Sequence, residues 1–181
     1  LPPSCSCLSM AFSAPPAIET CAPILMNTNG LRSFYLGRCD WSGVRLVSIA
    51  PSNTGIVQSL GAEDQLVGTT VLSPLDTAKV GGWTSVDCDA VEDMNPDLVL
   101  ACDRLQGDAV EELRGRGLDV LHLRPRTLED VFDSFLEFGS CLGVPERAES
   151  LVSGFRRTLD GVDIEGRVYC EEWTEPPMAS G

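Results

Sequence analysis

Apolar runs of strand length alternate with segments of helical period between residues 45 and 123, and this alternation restricts the chain to few folds. The strand-like runs are residues 45–50, 66–69, 97–102 and 119–123. The run at 97–102, DLVLAC, is continuously apolar after its first residue, which is typical of a strand buried on both faces of a parallel sheet. Strands that alternate with helices pair in parallel through right-handed crossovers. We therefore predict an α/β unit, a parallel sheet flanked by helices, over residues 44–124.

The segments between these runs carry helix start and stop signals. Capping residues or glycines stand at residues 52–53 and 61, at 85–87, and at 117. Residues 70–85 are rich in turn formers and predict a long loop. Ligands of parallel sheets bind at the carboxyl ends of the strands. The loops expected at that edge are residues 51–54, 70–85 and 103–107.

A long helical pattern follows the predicted sheet. Thr127 and Asp130 resemble a capping box, and apolar residues then recur three and four apart to residue 159, with a break at residues 143–145. Some 34 helical residues would extend for about 50 Å, more than one small sheet needs. The pattern predicts a bridging helix over residues 125–162 that reaches a second unit.

The end of the chain predicts the start of that second unit, over residues 163–181. The run RVYC at residues 167–170 predicts a strand, and residues 171–181 the loop that leaves it. We expect the chain to be truncated within this second α/β lobe.

Residues 1–43 differ in composition from the rest of the chain. They contain five of the 12 prolines and carry no net charge. Their longest apolar runs, such as Met10-Ala11-Phe12, have three residues, far fewer than the roughly 7–15 of a secretion signal. This segment predicts coil, and we expect it to be poorly ordered or absent from the native product.

The charge balance argues against nucleic-acid binding. The chain has 27 acidic and 13 basic residues, a net charge of −14, and Lys79 is its single lysine. A nucleic-acid binder needs a basic face to neutralise phosphates. The acid excess instead resembles the solvated acidic surface of proteins from high-salt organisms, where charge maintains solubility.

Cysteine and histidine give no clear catalytic or metal-binding pattern. The spacing of Cys5, Cys7, Cys21 and Cys39 matches none of the paired zinc motifs. The single histidine, His122, stands in an apolar run and predicts a residue satisfied in the core or at a strand end. With no phosphate loop or nucleophile motif, an α/β enzyme that uses Asp103 and His122 as acid and base is an alternative only. We expect no catalytic residues, metal or covalently bound cofactor.

The stretches RLVSIAPSNTGIVQSLGAEDQLVGTT, KVGGWTSVDCDAVEDMNPDLVLA and VYCEEWTEPPMASG, with the long helix between the last two, resemble one known family. In this order they are similar to the substrate-binding proteins of ABC importers that have a helical backbone, and within these to the vitamin B12-binding branch. The resemblance covers residues 45–181. It implies two α/β lobes bridged by a helix, with the ligand held between the lobes.

The resemblance also implies roles for individual residues. Pro51, Ser52 and Asn53 correspond to the first loop that faces the ligand. Trp83 corresponds to an aromatic residue that packs on the corrinoid, to which an indole offers a rigid apolar face. In the second lobe, the residues that correspond to the ligand-facing loop are Trp173 and Pro177.

A further correspondence concerns the membrane partner. Asp89 lies where the family has a glutamate that docks onto an arginine of the permease, an ion pair with sound chemistry, although aspartate is one methylene shorter. Val71 and Leu72 depart from the family, because cobalamin binders often have a tyrosine there.

The resemblance implies capture of a corrinoid such as cobalamin by a monomer. It would deliver the ligand to an ABC permease with its ATPase subunits, outside the cytoplasm at the membrane or cell surface. The missing signal pattern keeps a cytoplasmic location open, including a corrinoid or metallocluster scaffold of the same fold without a transport role. A siderophore or haem is the alternative ligand.

Overall fold

The computed structural model of the chain describes residues 43–163, 171–174 and 177–179. The expected coil over residues 1–43 therefore lies outside the described residues except for Gly43. The predicted strand at residues 167–170 lies outside them altogether.

A five-stranded parallel sheet forms the centre of the described unit, with strand order β3-β2-β1-β4-β5. This confirms the predicted α/β class with a parallel sheet flanked by helices. The strands are β1 (Leu46–Ser48), β2 (Leu66–Thr69), β3 (Ala78–Lys79), β4 (Leu98–Cys102) and β5 (Val120–Leu123). Strand β3 is a correction, because residues 70–85 were expected to be loop throughout.

Short helices and turns connect the strands of the sheet, and the side chain of Asp87 caps one of these helices. Between the strands lie α1 (Pro51–Ser59), a 3₁₀ turn (Glu63–Gln65), α2 (Cys88–Asp93) and α3 (Gly107–Gly115). Asp87 is the N-cap of α2, and its carboxylate accepts a hydrogen bond from the Ala90 N–H. The expected cap of α1 at Ser52 or Asn53 is wrong, because the N-cap is Ala50 and no side chain caps the helix. Pro51 stands in its first turn, where the missing proline N–H costs no helical hydrogen bond.

The central strands are buried as the apolar pattern predicted. Leu46 and Val47 of β1 and Val99 and Leu100 of β4 are fully buried. On one face of the sheet, α2 and α3 contribute Val91, Val110 and Leu113 to the core. This packing fixes the carboxyl ends of β1 and β4 next to each other.

The predicted bridging helix is two helices, and the expected 50 Å rod is wrong. Helix α4 (Leu128–Cys141) and helix α5 (Pro145–Asp160) are separated at Gly143, which has φ +71°. They pack antiparallel: the rings of Phe132 and Phe155 stack with centroids 6.3 Å apart, and Glu129 pairs with Arg156. The 14 and 16 residues span about 21 Å and 24 Å, so only α5 could lead to a second lobe.

The last described residues form a second sheet rather than the expected loop. Strands β6 (Glu171–Thr174) and β7 (Pro177–Ala179) pair antiparallel. An eleven-residue stretch with two consecutive prolines looked irregular in sequence, but Thr174 pairs with Pro177, so the second proline stands at the start of a strand, a position that proline tolerates.

Candidate functional site

The strand order reverses direction between β1 and β4, and the connections from these strands leave on opposite sides of a crevice. The chain runs from β1 to β2 in one direction of the sheet and from β4 to β5 in the other. Open α/β sheets bind their ligands at such a switch point, outside the carboxyl ends of the strands. The candidate site is therefore this edge, which we call the ligand edge: the segments that follow β1 to β5.

The first segment of the ligand edge is the start of α1. Pro51 is half-buried, Ser52 is exposed and Asn53 is buried. No side chain caps this helix, so the N–H groups of Ser52 and Asn53 have no partner within it. The structure thus brings these three predicted residues to the expected place, at a helix end that favours acceptor and anionic groups.

Gln106 connects three segments of the ligand edge and was missed in the sequence. Its side chain is 2% exposed; Nε2 donates to the backbone carbonyls of Ile49 (2.6 Å) and Trp83 (2.9 Å), and Oε1 accepts from the Cys102 N–H (2.8 Å). Its hydrogen bonds therefore join the Trp83 loop to the ends of β1 and β4. A glutamine between Leu105 and Gly107 has no sequence signal for this role, because its three partners are 4 to 57 residues away.

Apolar side chains are exposed along the same edge. Val71 is 59% exposed, Leu72 63% and Leu105 62%. The Val71 N–H donates to the Gly81 carbonyl, and the Trp83 carbonyl accepts from Gln106, which follows Leu105. These hydrogen bonds place the exposed aliphatic residues on segments directly joined to the half-buried Trp83.

Lys79 holds the loop that carries Val71 and Leu72. Its ammonium donates to Thr69 Oγ1 (3.2 Å) and to the carbonyls of Ser73 (3.1 Å) and Leu75 (2.7 Å). Lys79 therefore holds this loop together with the hydrogen bond between the Thr69 and Thr77 hydroxyls (2.7 Å).

Asp103 and His122 do not form the acid and base pair that the enzyme alternative required. His122 Nε2 contacts the backbone carbonyl of Asp103, whereas the Asp103 carboxylate accepts from the Leu105 N–H (2.5 Å). Burial lowers the pKa of His122 below its ordinary value. Asp103 has φ +70°, a conformation that costs free energy for a non-glycine residue and is concentrated at functional sites.

Two concavities lie near the ligand edge. A groove of about 340 Å³ between α4 and α5 is lined almost entirely by apolar side chains, among them Phe135, Phe155 and Leu159. A smaller cavity of about 80 Å³ lies between α1, the ends of β4 and β5, and α4. The smaller one adjoins the switch point and therefore belongs to the ligand edge.

Asp89 lies away from the ligand edge, in the first turn of α2. Its carboxylate is 84% exposed and 2.6 Å from the guanidinium of Arg116, which also contacts Glu92 (2.8 Å) and Glu112 (2.6 Å). Hydrogen bonds that the guanidinium donates to Asp89 first, and then to the two glutamates, raise the pKa of Arg116. One guanidinium faces three carboxylates here, so the cluster keeps an excess of negative charge.

Trp173 and Pro177 lie in β6 and β7, one strand position apart across the turn of the small sheet. Only the backbone is described there, so their part in the site stays a prediction. Among the described residues, no group of histidine, cysteine and acidic side chains could hold a metal ion. No helix within the described ranges is both long and apolar enough to cross a bilayer.

A family model described as "Periplasmic binding protein" matches residues 46–163, which include the whole ligand edge. The chain belongs to the periplasmic binding protein family. This membership confirms the resemblance given above and classes the chain with binding proteins rather than with enzymes.

Individual relatives agree with this assignment. The chain is 29% identical over 136 residues to an uncharacterized ABC transporter substrate-binding lipoprotein, YvrC, of Bacillus subtilis, an alignment covering 71% of this chain and 43% of YvrC. It is 24% identical over 152 residues to the vitamin B12-binding protein of Pectobacterium carotovorum, covering 75% and 54%. A periplasmic heme binding protein from Pseudomonas aeruginosa shares 28% identity with a TM-score of 0.59, covering 64% of this chain and 44% of that protein.

The chain thus spans about half the length of the curated relatives that it matches. The described lobe brings to the ligand edge an uncapped helix start, a glutamine that joins three segments by hydrogen bonds, and exposed aliphatic residues on segments hydrogen-bonded to the loop of Trp83.

Proposed function

We propose that this chain supplies the N-terminal lobe of an ABC-importer substrate-binding protein whose ligand is a corrinoid such as cobalamin. The observation that carries the proposal is the exposure of aliphatic residues at the ligand edge: Val71, Leu72 and Leu105 are each about 60% exposed, on segments hydrogen-bonded to the loop of Trp83. Monomeric proteins seldom expose clustered aliphatic residues without a binding role. A corrin ring offers a broad apolar face that such a surface can cover.

The aliphatic residues replace the aromatic contact that the resemblance led us to expect. Val71 and Leu72 would contact the ligand through dispersion and burial of apolar area, while the indole of Trp83 adds a rigid face. Gln106 would keep this indole in place before the ligand arrives. Affinity would then come from a largely preformed surface, which avoids the entropy cost of ordering loops upon binding.

Delivery of the ligand requires a membrane partner, and we propose an ABC permease with its ATPase subunits. The Asp89, Glu92 and Glu112 carboxylates around Arg116 form an exposed acidic patch on α2 and α3. An arginine of the permease could pair with Asp89 at the edge of this patch. The protein would work outside the cytoplasm, as the name of the YvrC lipoprotein supports.

The test is a titration of the full-length protein with cyanocobalamin, followed by tryptophan fluorescence and by calorimetry. We expect saturable binding at micromolar ligand or below, and weaker binding by a Trp83→Ala variant. Absence of binding at micromolar cyanocobalamin would contradict the corrinoid assignment.

Haem or a ferric siderophore is the second candidate, and three arginines favour it. Arg104, Arg124 and Arg126 are exposed on the segments that follow β4 and β5, in a chain of net charge −14. Basic side chains at a ligand edge would suit the carboxylates of an anionic ligand. Parallel titrations with haemin and ferrioxamine distinguish this candidate from the corrinoid.

A further inference from the structure

The single histidine of the chain has a different partner at each ring nitrogen. His122 is half-buried and lies in β5. Its Nε2 contacts the backbone carbonyl of Asp103, and its Nδ1 is 3.4 Å from Nη2 of Arg124. A carbonyl can only accept a hydrogen bond, and a guanidinium can only donate one. The two partners therefore select the neutral tautomer in which Nε2 carries the hydrogen and Nδ1 accepts.

Protonation of this ring is incompatible with the contact to Arg124. An imidazolium donates from both nitrogens, so its Nδ1–H would face a guanidinium that has no acceptor. Two positive charges at this separation also repel each other. Because Arg124 is exposed, its side chain can turn away from the ring into solvent. Proton binding by His122 and the present position of Arg124 therefore exclude each other.

The charged groups around the ring act on its pKa in both directions. Burial is the main cause of the lowered pKa of His122; the hydrogen bond to Asp103 counteracts it, and the charges of Arg124 and Arg114 lower it further. Arg114, on α3, donates to the Val120 carbonyl at 3.0 Å, and the Asp103 carboxylate accepts from a backbone N–H. An anion that draws Arg124 away would remove a positive charge from Nδ1 and favour protonation of the ring.

The pair lies where a ligand can reach it. Cys102 and Leu123 are paired residues at the ends of β4 and β5, so Asp103 and Arg124 follow them at the same edge of the sheet. In a chain with 13 basic and 27 acidic residues, an exposed guanidinium beside the single histidine is a local departure from an acidic surface. A guanidinium and an imidazolium together favour an anionic acceptor through charge-assisted hydrogen bonds.

We propose that Arg124 and His122 form a proton-linked site for an anionic group of the ligand. The anion enters between the guanidinium and Nδ1, the ring takes up one proton from solvent, and both side chains then donate to the anion. This inference rests on the proposed function, since it concerns a group of the bound ligand. The phosphate diester of cobalamin and the carboxylates of haem share the required chemistry. His122 thereby couples binding to pH, which an arginine alone cannot do.

Proton NMR of the chain tests the site, because a single histidine gives one imidazole Hε1 signal, whose position reports protonation. The signal is followed between about pH 5 and 8, in sodium sulfate and in sodium chloride of equal ionic strength. Sulfate does not itself titrate in this range. If sulfate binds the protonated pair, it should raise the midpoint of the His122 titration relative to chloride. The same midpoint in both salts would overturn the proposal.

Arg124→Gln distinguishes a site from a general effect of salt. The midpoint in chloride should be higher in this variant, because a neighbouring positive charge is gone, and sulfate should raise it less. Arg157→Gln removes the same charge from an exposed position on α5, outside the ligand edge, and should respond to sulfate as the unsubstituted chain does. An equal response in Arg124→Gln and in the unsubstituted chain would mean that sulfate acts only as an adventitious ion, and the site would be rejected.

A last measurement connects the site to the ligand and separates it from the proposed function. Affinities of the full-length protein for cyanocobalamin and for haemin are measured over the same pH range. The ligand whose anion occupies the site should bind more tightly as pH falls, by up to about tenfold per pH unit. His122→Gln, whose amide can still donate to the Asp103 carbonyl but cannot be protonated, should abolish this dependence.

The outcomes are distinct. An affinity that does not change with pH for any ligand that binds, or a pH dependence that persists in His122→Gln, overturns the coupling and leaves the proposed function intact. Failure of both ligands to bind overturns the proposed function, and the sulfate titration then decides the anion site alone.

Discussion

Replacement of Gln106 by leucine tests whether one buried side chain holds the ligand edge together. Leucine is close in size to glutamine but removes the donors to Ile49 and Trp83 and the acceptor for the Cys102 N–H. Gln106 is also the N-cap of α3, but its side chain makes no capping bond there. The substitution therefore removes the three tertiary hydrogen bonds and no helix cap.

The size of the effect follows from the burial of the three partners. Ile49 is fully buried, so its carbonyl would lose its bond without access to water, whereas Cys102 and Trp83 are half-buried and can be partly rehydrated. Leaving a buried group unpaired costs about 1–3 kcal/mol. One complete and two partial losses, less the gain from burying a leucine, give a decrease of about 2–4 kcal/mol in the free energy of unfolding.

Urea denaturation of the chain, followed by far-ultraviolet circular dichroism, measures this decrease. With a slope of about 2 kcal/mol per M, the midpoint should fall by about 1–2 M. Gln58→Leu, an exposed change on α1, should leave the midpoint unchanged. A Gln106→Leu midpoint within about 0.3 M of the unsubstituted chain would refute the structural role of Gln106.

Three further predictions concern the helices. Gly139→Ala should destabilise the chain in thermal denaturation, because a Cβ there would overlap Ala148. Gly154 has open space around it, so Gly154→Ala should stabilise the chain by about 0.5–1 kcal/mol. Equal effects of the two variants would contradict the packing of α4 against α5. Burial raises the pKa of Cys141 to about 12, so peptide mapping after iodoacetamide treatment at pH 8 should show slow alkylation that becomes fast in urea, and equal rates would be inconsistent with burial. Hydrogen bonds from the backbone N–H groups of residues 126 and 127 lower the pKa of Asp130. The ionised carboxylate therefore stabilises the fold above the unfolded pKa of about 3.9, and this stabilisation is lost as pH falls through the lower folded value. Asp130→Asn should flatten the loss of stability between pH 5 and 2, and an unchanged pH dependence in this range would contradict the prediction.

The sheet could be predicted from sequence because burial on both faces produces continuous apolar runs. The run that became β4 shows this. The start of α2 could be predicted for another reason, because the capping role of Asp87 is local. Strand β3 could not be predicted in this way: it has two exposed residues and pairs only with the end of β2. Its pairing is a tertiary contact that leaves no periodic pattern.

The direction of α5 relative to α4 could not be predicted from the sequence either. A helical period reports which residues share a face but not whether the chain continues straight after a break or turns back. The positive φ of Gly143 and the absence of a side chain at Gly139, against Ala148, allow α4 and α5 to pack side by side. These are properties of two positions, and the amphipathic pattern is the same for a rod and for a hairpin.

Part of the candidate site could likewise be predicted from the sequence, and part could not. The position of Pro51, Ser52 and Asn53 at the ligand edge followed from the order of strand, turn and helix. The hydrogen bonds of Gln106 and the unsatisfied amide of Asn53 could not be predicted. Both depend on atoms from distant segments, which only the folded chain brings together.

The single lysine of the chain gives it an unusual chemical handle. Amine-reactive dyes and crosslinkers have one side-chain target in this sequence, Lys79, besides the terminal amine. The ammonium of Lys79 is engaged by one hydroxyl and two carbonyls of the loop that carries Val71 and Leu72. A fluorophore attached there would sit beside the proposed ligand surface, so acylation of one amine would both weaken the hydrogen bonds that hold this loop and place a reporter next to it.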